Sequence, residues 1–357
     1  MPKVIVGMSG GVDSAVTAYL LKMAGYDVIG VTLRTWLTSE GKDSRCCEID
    51  DAQKVAWKLG IPYYVTDSRC EFNDLVIKPF IDSYINGMTP NPCVECNRYI
   101  KWEKMLATAD TYGAEYIATG HYASVVKLDN GRYTVKQAEH IAKDQTYMVY
   151  KLTQEQLSRT LMPLGKLSKD EVRDIAIKAG LPVADKPDSQ EICFVPDGHY
   201  SEYIEENFDG PLPEEGNFVD EDGNVLGTHK GIIHYTVGQR KGLGIAMGHP
   251  VFIKSINAET NEIVLSSNES LFTDKIICSG VNFMSIETPV AGETVRARVK
   301  IRYHHDPVPA DVVMLEDGRV EITFDEKVRA ATPGQSAVFY DDDSCVMGGG
   351  IIVKTGV

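Results

Sequence analysis

The sequence predicts an α/β protein: an N-terminal doubly wound parallel sheet, a small α/β central domain and a C-terminal antiparallel β-barrel. Three observations predict it. Residues 1–120 repeat a strand-then-helix pattern, and a glycine-rich turn joins the first strand to the first helix. From residue 276 onward short alternating strands with turn signals replace the helical spacing. The implied domains are 1–198, 199–275 and 276–357, as expected of a 357-residue chain that exceeds one core.

The elements follow in order. Lys3-Val4-Ile5-Val6 reads as a short buried strand, and residues 15–21 as the first turns of a helix stopped by Gly25. A second buried strand covers 27–33, a helix 50–59 ends at Gly60, and a third strand covers 61–65. Leu75, Ile77, Phe80, Ile81 and Tyr84 have helical spacing within 72–85, and another helix is expected over 99–112. The strand at 116–119 ends in Gly120-His121-Tyr122. Such a sheet binds ligands at its carboxyl strand ends, which is where loop 7–14, Leu33 and Gly120 would lie.

A hairpin follows, 123–127 and 133–137 around Asp129-Asn130-Gly131, then two helices opened by the capping boxes Thr153-x-x-Gln156 and Ser168-x-x-Glu171. Residues 185–194 read as irregular and Pro196-Asp197-Gly198 as a boundary turn. Beyond it come a helix at 200–207, Pro/Glu/Gly-rich loops and a strand at 251–254. The barrel carries turns at Asp317-Gly318 and Pro333-Gly334.

Composition is ordinary globular, 43% hydrophobic and 24% charged, with no apolar run long enough for a membrane span. The early first strand leaves no room for a signal peptide, and eight scattered cysteines fit a reducing, cytoplasmic setting. A net charge of −15 argues against nucleic-acid binding by bulk electrostatics. A local basic face remains open at Arg98-Lys101-Lys104, Arg240-Lys241 and Arg296-Arg298-Lys300-Arg302.

Gly7-Met8-Ser9-Gly10-Gly11-Val12-Asp13-Ser14 sits where backbone N–H groups and a helix N-terminus would face a phosphate. No Lys-Ser/Thr pair follows, so it is not a Walker A loop. It resembles the pyrophosphate loop of the ATP pyrophosphatases, which split ATP between its α and β phosphates to adenylate a carbonyl oxygen. The bland alternative, a tight turn that binds nothing, does not account for two hydroxyls and an Asp around the glycines.

Asn91-Pro92-Cys93-Val94-Glu95-Cys96-Asn97 contains a C-x-x-C. Such a pair can be a redox couple, half of a zinc site or part of an iron–sulfur site. No second C-x-x-C or matching His pair completes a zinc ribbon. Cys193 is the natural third thiol, Cys70, Cys278 and Cys345 read as structural, and Cys46 and Cys47 stay ambiguous. Trp36 and Trp102 read as core, the Arg296-to-Lys300 alternation as a solvated strand face, and His304 and His305 as surface.

With these motifs on the page, the chain resembles the tRNA-specific 2-thiouridylases over essentially its full length. The segments that carry the likeness are loop 7–14, Thr89-Pro90-Asn91-Pro92 with Cys96-Asn97, Ala118-Thr119-Gly120-His121-Tyr122-Ala123, Lys143-Asp144-Gln145 and Asp188-Ser189-Gln190-Glu191-Ile192-Cys193-Phe194. Gly227-x-His229-x-Gly231, residues 235–244, Ile301-Arg302-Tyr303 and Pro333-Gly334-Gln335 add to it. The resemblance implies an adenine nucleotide α-hydrolase-like fold and sulfur transfer to the 2-position of a tRNA wobble uridine. ATP with Mg2+ would adenylate the uridine O2, and sulfur would displace AMP.

By that resemblance Gly7, Met8, Ser9, Gly10, Gly11, Val12, Asp13, Ser14, Leu33 and Gly120 hold the nucleotide. Cys193 carries a persulfide and Cys96 is its catalytic partner. Asn91, Pro92 and Cys93 face the base, while His121, Lys143, Asp144, Gln145, Arg302, Tyr303 and Gln335 contact tRNA. Sulfur would come from a donor protein, a cysteine desulfurase or relay, or from inorganic sulfide. Many relatives have Asp where this chain has Cys93. The set Cys93, Cys96 and Cys193 therefore also resembles the three thiolates that hold a 4Fe–4S cluster in iron–sulfur-dependent tRNA thiolases. The competing readings are another ATP pyrophosphatase, such as an adenylating amide ligase, and a non-catalytic RNA-binding protein with a decayed ATP site.

Overall fold

The structure, a computed structural model, describes residues 1–37, 48–187, 192–195 and 198–356. Cys46 and Cys47, the stretch 188–191 and the Pro196-Asp197 part of the expected boundary turn lie outside them. The chain divides into two compact units: 1–77, 92–198 and 343–346 form one, and 78–91, 199–342 and 347–357 the other.

The first unit is built on a five-stranded sheet. Its first elements are β1 (Lys3–Gly7), α1 (Val12–Met23), β2 (Asp27–Arg34), α2 (Ile49–Leu59) and β3 (Tyr63–Asp67). Two interrupted helices follow. α3 (Arg69–Phe72) widens into a π-helical stretch, Asn73–Ile77, which leads to α4 (Lys78–Ile85) in the second unit. α5 (Pro92–Glu95) widens into a second π-helical stretch, Cys96–Lys101, before α6 (Trp102–Tyr112). The expected helices at 72–85 and 99–112 are thus present but interrupted. A 3.6-residue periodicity does not register the extra residue of a π turn, and such turns gather at functional sites.

β4 (Tyr116–Ala118), the hairpin β5 (Ala123–Lys127) and β6 (Tyr133–Gln137), α7 (Gln154–Ser158), β7 (Thr160–Leu161) and α8 (Lys169–Lys178) complete the unit. Both capping boxes form: Thr153 and Ser168 accept from the backbone of Gln156 and Glu171, whose side chains accept from the two cap N–H groups. The sheet order is β3-β2-β1-β4-β7, parallel throughout. Val4, Ile5 and Val6 are fully buried, as expected of a strand covered on both faces. The order reverses between β1 and β4, where Val6 pairs with Ala118, and that switch point opens a crevice at the carboxyl strand ends.

The second unit carries α9 (Tyr200–Asn207), β8 (Gly216–Val219), β9 (Val225–His229), β10 (Phe252–Asn257) and β11 (Glu262–Ser266), with sheet order β10-β11-β8-β9. Tyr84 of α4 stacks on Tyr200 of α9 at 4.6 Å between ring centroids. β12 (Phe272–Phe283), β13 (Thr294–Lys300), β14 (Val308–Met314), β15 (Val320–Arg329), β16 (Ser336–Tyr340) and β17 (Val346–Thr355) close a six-stranded barrel in the order β12-β15-β14-β13-β16-β17. Its interior is apolar, with Val299, Ile322 and Ile352 fully buried. Cys278 lies in that interior, where burial pushes its thiol pKa up and leaves it unreactive.

Candidate active site

The loop after β1 is shaped by its own hydroxyls. Ser9 donates its N–H to Ser14 Oγ (3.2 Å), and Ser14 donates its hydroxyl to Gly11 O (3.0 Å). Gly10 has φ +82°, and a Cβ there would lie 2.6 Å from Glu48 O, so the position excludes any side chain twice over. Gly11, the N-cap of the 12-residue helix α1, makes no side-chain cap hydrogen bond. A helix N-terminus of this kind favours an anion.

Gly120 closes the other side. A Cβ at this position would lie 2.9 Å from Asp13 C and 3.0 Å from Ser14 N. The segment after β4 therefore packs directly on the first turn of α1, and the expectation that loop 7–14 and Gly120 share one edge describes the geometry found. Leu33 stands near the carboxyl end of β2, paired with Thr66.

Sequence reasoning missed the two lysines that converge on this loop. Lys169, the first residue of α8, bonds Asp13 Oδ1 at 2.8 Å and Oδ2 at 2.9 Å, and Tyr122 donates its hydroxyl to Oδ1 at 2.8 Å. Lys186 bonds Gly10 O (3.3 Å), Asp51 (2.7 Å) and Glu48. Burial alone would lower the Lys186 pKa, but its bonds to Asp51 and Glu48 leave it raised. Neither lysine belongs to a charge pattern, so only the fold could assign them. Together they bring two cations to a loop shaped for a polyphosphate.

The cysteine segments join the same unit through packing. Trp102, fully buried and bonded through its indole N–H to Thr160 Oγ1 (2.8 Å), lies 5.4 Å from the His121 ring. It directly follows the π-helical stretch that begins at Cys96. Phe194, next to Cys193, meets Phe72 of α3 edge-on at 5.6 Å, and α3 packs against the Cys96–Lys101 stretch. Cys96 is buried, and Cys93 and Cys193 are half-buried. Asn97, 2% exposed, ties the stretch to Met148 O (2.9 Å) and keeps a buried Oδ1 with no hydrogen-bond partner.

Among the described residues no three His, Cys, Asp or Glu side chains are gathered to hold a metal ion, whereas a 4Fe–4S cluster needs three converging thiolates. Mg2+ makes a smaller demand, one or two carboxylates plus substrate phosphates; Asp13 is the carboxylate of this loop, with both its oxygens bonded by Lys169.

Two of the expected RNA-contact residues make hydrogen bonds within the protein. Asp144 is 3% exposed and turned inward, accepting from Thr146 Oγ1 (2.7 Å) and Ala138 N–H (3.1 Å). Gln145 braces Tyr122, exchanging bonds with its backbone N–H and C=O at 3.0 Å each. Arg296, at the head of the expected basic stripe, is paired with Asp311 and Asp325, so much of its charge is cancelled locally. Arg302 donates to Arg329 O (3.0 Å), and Lys300 is 8% exposed beside the Tyr303 ring.

His121 bonds Thr119 Oγ1 through Nδ1 at 2.9 Å. Burial, with Lys101 nearby, pushes its pKa down to about 3, so the ring is neutral at physiological pH. Below the unfolded pKa the unfolded chain takes up a proton that the folded ring refuses, so stability falls as pH drops from 6.5 toward 3. Between pH 6.5 and 5, the folding free energy of His121→Gln is expected to fall less than that of the wild type, by up to about 2 kcal/mol. Urea unfolding at the two pH values checks this, and equal slopes would show that the ring does not titrate as its burial requires.

A switch-point crevice with a hydroxyl-lined glycine loop, a carboxylate held by lysine and a helix N-terminus defines a nucleotide-binding α/β domain, here on a chain that also carries a closed barrel. A family model described as the tRNA methyl transferase HUP domain matches residues 2–197. Models described as the tRNA methyl transferase PRC-barrel domain and the aminomethyltransferase beta-barrel domain match 208–267 and 273–352. A tRNA-specific 2-thiouridylase MnmA of Lachnoclostridium phytofermentans is 53% identical over 99% of this chain and 100% of its own. One of Clostridium perfringens is 50% identical over 98% of each. The chain belongs to the tRNA-specific 2-thiouridylase family. Among solved structures, a 4-thiouridine synthetase with bound RNA and ATP aligns only loosely, 20% identical over 57% of this chain and 50% of its own, with a TM-score of 0.38. Among the described residues, no helix is long and apolar enough to cross a membrane.

Proposed function

We propose that this protein transfers sulfur to the 2-position of the wobble uridine of tRNA, using ATP to activate the uridine oxygen. The observation that carries the reading is the packed continuity from the nucleotide loop through Gly120 and His121 to Trp102 and the helix that begins at Cys96. A uridine carbonyl is a poor electrophile, and adenylation converts its oxygen into a leaving group.

The uridine O2 attacks the α phosphorus and pyrophosphate departs. The N–H groups at the start of α1, with Lys169 and Lys186, meet the charge that develops on the phosphates. Mg2+, when bound with ATP at Asp13, supplies Lewis-acid neutralisation of the same charge. The outer sulfur of a persulfide on Cys193 then attacks C2 and AMP leaves. Cys96 attacks the inner sulfur, releasing the thiocarbonyl and forming a Cys96–Cys193 disulfide, which an external dithiol reduces. Sulfur reaches Cys193 as sulfane sulfur from the persulfide of a desulfurase or relay protein; inorganic sulfide loads it by opening the Cys96–Cys193 disulfide, which leaves the persulfide on Cys193 and frees the Cys96 thiol. Asn91, Pro92 and Cys93 face the base, and Arg302 and Tyr303 meet the RNA.

The test incubates the protein with an anticodon stem-loop carrying the wobble uridine, ATP, Mg2+, a sulfur source and a dithiol. One 2-thiouridine is expected per AMP and pyrophosphate released. AMP formation that does not depend on RNA, or none at all, would return the chain to an amide-ligase or a non-catalytic reading.

A further inference from the structure

The family resemblance assigns Gln335 of the turn Pro333-Gly334-Gln335 to RNA contact, and the structure gives this turn a partner within the protein. Three interactions lock it onto Thr89. Gln335 donates through Nε2 to Thr89 O at 2.8 Å, and Thr89 donates its N–H to Pro333 O at 2.9 Å. Gly334 has φ +92°, and a Cβ there would lie 2.8–2.9 Å from the N, C and O atoms of Thr89. Both strands of contact lie within the second unit.

The turn is itself braced by the barrel. Gly334 donates to Ile352 O (2.9 Å), and Ile352 of β17 donates back to Gln335 O (2.8 Å). A turn that served only to present a glutamine to solvent would need neither the missing side chain at 334 nor the two-way bond to Thr89. Two residues beyond Thr89 stands Asn91, followed by Pro92 and Cys93. Pro90 and Pro92 both restrict the backbone of this stretch, so fixing Thr89 also restrains Asn91.

We infer that Gly334 and Gln335 are positioning residues for Asn91: the barrel holds Thr89 so that Asn91, two residues on in the same unit, is set for the target base. The inference rests on the proposed function. It requires that loss of the clamp slow sulfur transfer while leaving RNA affinity intact, because misplacing a reactive group acts on the reaction step rather than on remote binding.

The experiment compares wild type, Gln335→Ala and Gly334→Ala for kcat of thiolation, for Kd of the anticodon stem-loop by fluorescence anisotropy, and for thermal melting. Gln335→Ala is expected to lower kcat about tenfold, the value of one buried hydrogen bond, with Kd within about twofold of wild type and the melting curve preserved. Gly334→Ala, which displaces backbone, is expected to lower kcat by about 10²-fold. Gln335→Ala truncates a half-buried side chain and leaves the backbone of the turn unchanged, so it keeps the test open if Gly334→Ala does not fold. A rise in Kd with kcat unchanged would make Gln335 an RNA contact and overturn the inference. So would unchanged values of both, or a kcat loss that merely follows unfolding. A wild-type protein that forms no thiouridine would instead sink the proposed function.

Discussion

Replacing Gly120 by alanine is expected to lower tRNA-dependent AMP formation by about 10²-fold. The added methyl would meet Asp13 C at 2.9 Å and Ser14 N at 3.0 Å. Both are backbone atoms at the first turn of α1, so the collision cannot be relieved by rotating a side chain. The first turn of α1 must move, and with it the N–H groups that face the phosphates. The same shift strains the bonds from Lys169 and Tyr122 to Asp13. Far from this edge nothing changes, so loading of Cys193 with a labelled sulfur donor should proceed normally. Measuring both half-reactions on one preparation decides the matter. AMP formation at the wild-type rate would mean that Gly120 does not border the nucleotide.

How much of this was legible in the sequence follows from what each signal depends on. The strand-glycine-helix pattern around residues 3–14 is local, so its position and its role at a strand end could be read directly. The capping boxes at Thr153 and Ser168 are likewise local, and both formed. The π-helical stretches at Asn73–Ile77 and Cys96–Lys101 were not legible, because one extra residue per turn leaves the apolar spacing nearly unchanged.

Lys169 and Lys186 illustrate a second limit. Each is an isolated lysine in its own neighbourhood, and its meaning arises only when folding brings it to residues 156 and 176 positions away. Asp144 and Gln335 illustrate a third. A family motif shows that a residue matters but not which way it points, and both turned toward the protein's own backbone.

The second large effect separates sulfur delivery from activation. In a single turnover with no dithiol added, Cys96→Ser is expected to lower 2-thiouridine release at least about 10³-fold while leaving tRNA-dependent AMP formation close to wild type. A serine hydroxyl is nearly the size of the thiol, so the packing beneath α3 is kept and the loop at 7–14 is untouched. What is lost is the nucleophile that resolves the sulfur adduct on Cys193, because a hydroxyl does not attack a disulfide sulfur at neutral pH. The variant should therefore accumulate RNA joined to the protein through Cys193, released by added dithiol and seen as a shifted band on a non-reducing gel. Gly120→Ala should fail before that stage and give no such species. If Cys96→Ser instead loses AMP formation together with thiolation, Cys96 acts in nucleotide activation, and the division of labour between loop and thiols is wrong.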